Sequence, residues 1–151
     1  MRKSLVAMAA LLLSVVIGGA QVRPLVAQAG IQAAPERIKK AALAMFEPQG
    51  YSIDLDTAAE LKISRVLSSE EIISYNTAHW TNPPVANCRR VHTFILSPAD
   101  QAISVTMLWD TACHADGWWK TWRNPNEKDI QWMQTALADL KARIEAADKR
   151  H

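Results

Sequence analysis

Near its start the chain carries an apolar run broken only once. From Leu5 to Ala20 every residue is apolar or glycine except Ser14, and the run follows the positive pair Arg2 and Lys3. Gly18-Gly19-Ala20 and Ala27-Gln28-Ala29 each offer the small-x-small pattern that leader peptidases accept. The run predicts an export leader over 1–29, cut after Ala20 or Ala29, and one folded domain over 30–151. Its sixteen residues are short of the roughly 20 that span a bilayer. An uncleaved leader is the alternative, and it makes the domain a membrane-anchored structural unit.

Beyond the leader the period changes to that of a helix. Ile38, Ala41, Ala42 and Met45 share one face between Pro35, a good first helical residue, and Phe46, and Glu47-Pro48-Gln49-Gly50 ends the segment. Strict alternation then takes over. Tyr51 to Asp56 and Leu61 to Ser64 read as a half-buried hairpin turning over Thr57 to Glu60. A second hairpin is predicted from Arg90 to Leu96 and from Ile103 to Trp109, turning at Ser97-Pro98-Ala99-Asp100. Between the hairpins, Ser68 with Glu71 resembles a capping box. Ser69 to Asn76 therefore reads as a short helix or as an extended stretch, before the rigid Asn82-Pro83-Pro84. The closing helix starts at the cap Asn126, and Ile130, Met133, Leu137, Leu140 and Ile144 form its apolar stripe. The fold class is α+β: an antiparallel sheet from two β-hairpins packed against N- and C-terminal helices, in the order α-β-β-linker-β-β-α.

Charge changes the picture once the leader is set aside. The full chain has 17 basic and 15 acidic residues, and Arg2, Lys3 and Arg23 lie before Gly30, leaving 14 against 15. A near-neutral domain has no electrostatic pull toward nucleic acid or anionic lipid. Exported compartments favour disulfides, so Cys88 and Cys113 are expected to join across the open end of the second hairpin. With Leu96 opposite Gln101, however, Cys88 faces Trp109 and Cys113 lies four residues on, roughly 13 Å away. A wider turn, a bulge or a bend after Trp109 is expected to close that gap. A catalytic Cys113–His114 pair is disfavoured, because adjacent strand residues point to opposite faces.

The densest chemistry is Trp118-Trp119-Lys120-Thr121-Trp122, half of the six tryptophans within five residues. Exposed, they form a stacking platform for a sugar or an anchor for a protein partner. The plainer reading folds at least one of them under the last helix. Lys120 and Arg123, with Arg89 and Arg90 beside Cys88, frame this stretch with cations, or make local ion pairs at a solvated hairpin end. Asp54 and Asp56 lack the glycine and glutamate that a calcium loop needs, since Ala59 and Arg65 stand there. His79, His92 and His114 match no zinc spacing and read as polar or partly buried residues. Neither a metal nor a cofactor is expected.

The expected function is an exported, non-enzymatic binding or accessory protein of the cell envelope, periplasmic or secreted, of inhibitor or immunity type. Its partner is another envelope or secreted protein, with carbohydrate as the alternative. Trp118, Trp119, Trp122, Lys120, Arg123, Arg89 and Arg90 are the expected contacts. The rival from another class is a small cell-wall hydrolase using His114 and Asp116.

Overall fold

The computed structural model describes residues 25–149; most of the predicted leader lies outside them. Its order is β1 (Val26–Ile31), α1 (Pro35–Phe46), a 3-10 turn (Glu47–Gln49), β2 (Ser52–Asp56), β3 (Glu60–Val66), α2 (Ser69–His79), β4 (Ala86–Ala99), β5 (Ala102–Ala115), β6 (Trp118–Trp122) and α3 (Glu127–Asp148). The fold is α+β, with an antiparallel six-stranded sheet ordered β1-β5-β4-β3-β2. Strands β1 and β6 both pair with β5, at Ile103–Leu108 and Thr111–Ala115, so they follow one another along the same edge.

The two predicted hairpins supply four neighbouring strands of this sheet, β5-β4-β3-β2, but the second is longer and its turn is later. Ala99 faces Ala102, leaving Asp100 and Gln101 as a two-residue turn. Leu96 consequently faces Val105 rather than Gln101, and Cys88 comes directly opposite Cys113. The gap is closed by this shift and by none of the three devices expected. Pro98 is tolerated in the strand because β3 ends beside Ile95, so the missing N–H has no neighbour to serve.

The first hairpin also differs. A bulge between Ile53 and Leu55 breaks the alternation, and β2 is exposed along its whole length rather than half-buried. Asp54 accepts a 3.0 Å bond from Ser64 Oγ, and Asp56 meets Lys39 Nζ at 2.6 Å. The Lys39 stem is buried while its ammonium reaches Asp56, Glu36 and the Thr57 carbonyl at the rim.

One apolar cluster joins Ala27 and Ile31 of β1, Ile38, Ala42 and Phe46 of α1, the inward residues of β3 to β5, and Met133, Leu137, Leu140 and Ile144 of α3. The α3 stripe is thus buried as its spacing predicts. The segment left open between helix and strand is helical, because the Ser68–Glu71 capping box closes in both directions. Glu71 is further fixed by a two-pronged pair with Arg65 at 2.5 and 2.9 Å, which holds its carboxyl down at about 2. Strand β1 spans the Ala29–Gly30 bond named above as a cleavage position, with Ala27 and Ile31 in the core.

Candidate functional site

The site begins at a two-residue turn. Asp116 and Gly117 both have positive φ, 54° and 82°, the mirror-type turn that matches strand twist and favours Asp-Gly. It folds Trp118–Trp122 back onto β5, with Ala115 opposite Trp118 and Thr111 opposite Trp122. The segment is therefore a strand rather than a buried cluster. Trp118 is 76% exposed and Trp119 54%, so neither of these two folds under the last helix. Trp122 is half-buried, but against the disulfide cluster of Leu67, Cys88 and Cys113, not under α3.

Strand alternation divides the predicted contacts between two faces. Trp118, Lys120 and Trp122 share one face with the disulfide. Trp119 and Arg123 share the other with Arg89, whose guanidinium lies 5.8 Å from the Trp119 ring. Arg123 is spent on Asp110, in a bidentate pair at 2.9 and 3.0 Å. Lys120 bonds Asp116 at 2.8 Å across the turn, and that ammonium lowers the Asp116 pKa. Arg90 points to the helix-covered side, 4.2 Å from the Trp109 ring centre and 2.7 Å from Thr111 Oγ1. Burial lowers its pKa, opposed by the carboxylates of Asp129 and Glu71. The seven residues thus do not form one patch.

The disulfide is present, with Cα atoms 4.0 Å apart. Beside it a cleft of about 580 Å³ opens between α2 with its following loop and the β5–β6 hairpin. Its walls include His79, Asn82 and Pro83 on one side and His114, Asp116, Lys120 and Trp122 on the other. Asn124 closes one end, its Nδ2 lying 3.2 Å from the Tyr75 hydroxyl and 3.3 Å from His79 Nδ1. Behind that gate a smaller polar chamber of about 190 Å³ holds Arg90, Trp109, Glu71 and Asp129.

Two lining residues of this cleft, Tyr75 and Asn124, and the neighbouring Trp80 have no signal in the sequence. Trp80, 90% exposed with φ 50°, stands at the end of α2 and carries no pattern that marks it. Tyr75 and Asn124 meet only through the fold. The hairpin itself was announced by Asp116-Gly117.

His79 and His114 both line the cleft, whereas His92 is fully buried, correcting its reading as at most partly buried. Among the described residues no group of three or more His, Cys, Asp or Glu side chains is placed to hold a metal ion. No described helix is long and apolar enough to cross a membrane. No protein-family model matches the chain, and a search of curated proteins returns no significant match.

Proposed function

We propose that this chain is an exported, non-enzymatic binding protein of the cell envelope, and that its cleft takes a segment of another envelope or secreted protein. The observation that carries this reading is the placement of the two most exposed tryptophans. Trp80 lies between the wall residues His79 and Thr81, and Trp118 stands opposite the wall residue Ala115. Large aromatic side chains beside a concave polar site are the anchors that dominate protein recognition. The domain's core forms without either of them.

The test uses the mature protein, disulfide intact, as bait in an envelope extract. The Trp80→Ala, Trp118→Ala double variant is expected to lose the captured protein while keeping the wild-type melt, since exposed substitutions cost within about 0.5 kcal/mol. Undiminished capture of the same protein would refute the reading, and recovery of a glycan in its place would reassign the ligand. The hydrolase reading draws support from His79, His114 and Asp116 lining one cleft. It requires product release from peptidoglycan that His114→Ala abolishes.

A further inference from the structure

The two ends of the sheet are finished in opposite ways. At β2 the edge is blunted by the bulge at Asp54 and by the carboxylates of Asp54 and Asp56, the usual protection against strand addition. Strand β6 has no bulge, and its sequence is Trp-Trp-Lys-Thr-Trp. Among the described residues β6 pairs with β5 alone.

The ladder says which backbone groups that leaves. Ala115 and Trp118 close a two-residue turn, so they form a hydrogen-bonded pair, and such pairs alternate along an antiparallel ladder. Trp118, Lys120 and Trp122 therefore bond to β5, while the N–H and C=O groups of Trp119 and Thr121 point outward. The same parity makes Cys88–Cys113 a non-hydrogen-bonded pair, in keeping with its short Cα separation of 4.0 Å.

The geometry points to a second copy of this chain as the occupant of that edge, adding its own β6 antiparallel to the first. Outward-facing residues must pair with outward-facing residues across the two-fold axis. With Thr121 opposite the partner's Thr121, Lys120 falls opposite the partner's Trp122, and Trp119 opposite the partner's Arg123. Each pair sets a cation, itself already anchored by Asp116 or Asp110, against an aromatic ring, and the symmetry makes each twice. Sliding by one position puts two Lys120 ammoniums face to face, which like-charge repulsion disfavours. The dimer carries a continuous sheet with both clefts on one face, and the partner's Trp122 extends the cleft wall beside Lys120. This association is independent of what the cleft binds.

Sedimentation equilibrium of the purified mature protein tests it without any other component. Twice the monomer mass is expected at micromolar concentration. Thr121→Pro removes an outward N–H that β5 does not use, a position where an edge strand tolerates proline. It is expected to yield a monomer. Thr121→Asp, at an exposed side chain, sets two carboxylates together at the axis and gives the same result should the proline variant fold poorly. A monomeric wild type, or a folded Thr121→Asp variant that still dimerises, overturns the proposal.

Discussion

His92 stacks against Tyr51 and Trp132, with ring centroids at 5.0 and 5.3 Å, and packs on Phe46 and Trp109. Its Nε2 shares a 2.9 Å hydrogen bond with the Tyr51 hydroxyl, while Nδ1 has no partner. A charged imidazole there is cut off from solvent, so burial first and the Arg90 charge second, opposed by the Leu108 backbone, bring its pKa down to about 3. Above its unfolded value of about 6.5 the ring is neutral in both states, and the domain keeps its full stability. Below that, the unfolded chain takes up a proton that the folded one refuses. Stability then falls by about 1.4 kcal/mol per pH unit until the folded pKa is reached. Glu71, held low by Arg65, adds its own loss only below its ordinary 4.5. The window from pH 6.5 to 4.5 therefore isolates His92. Urea midpoints there are expected to record a loss of about 2–3 kcal/mol, flattened in His92→Phe. An equal slope in both proteins would show that the imidazole is not responsible.

Among the elements, the β4–β5 hairpin depends most on its staple. Cys88–Cys113 closes a loop of 25 residues, and the chain-entropy relation gives about 3.5 kcal/mol for that length. Cys88→Ala with Cys113→Ala is expected to lower the urea-derived stability by that order, without altering the strand register. Strand β1 bears on the leader. A cut after Ala29 removes four of its six residues, the buried Ala27 among them, whereas a cut after Ala20 leaves the strand whole. Under the export proposed above, the intact mass of the processed protein is expected to place the new N-terminus at Gln21. A start at Gly30 would mean that the sheet closes without most of β1.

Both helices at the ends and the second hairpin could be read from periodicity, since each buries one face and repeats it; in the first hairpin only β3 does so, β2 being exposed. Strand β1 was hidden because Val26–Ile31 sits in small-residue sequence that serves equally as a cleavage site. Strand β6 was hidden because three tryptophans in five residues show no alternation of apolar and polar positions, although Asp116-Gly117 marked its turn. The turn was placed at Ser97-Pro98-Ala99-Asp100 because the fixed φ of Pro98 suits a second turn position; beyond the end of β3 the same residue fits the strand, and the turn falls at Asp100-Gln101. Of the cleft, the sequence displayed His114, Asp116, Lys120 and Trp122. It was silent on Tyr75 and Asn124, which gather through tertiary packing alone.

For the whole molecule, a single cluster runs from β1 through α1 and the central strands to α3. Such a core should unfold in one step. Leu137→Ala, at a fully buried position, is expected to cost 2–5 kcal/mol. Circular dichroism and tryptophan fluorescence should record the same midpoint in that variant. Separate midpoints would mean that α3 melts by itself. The sheet also imposes an order in time. Ala27 pairs with Met107, 80 residues further along the chain, so the first strand made is among the last to find its neighbour. At synthesis rates of about 5–20 residues per second, that interval is roughly 4–16 s. Throughout it the nascent polypeptide lacks the β-strand on which both halves of its outer edge are hung, so that edge cannot close until most of the chain has been made.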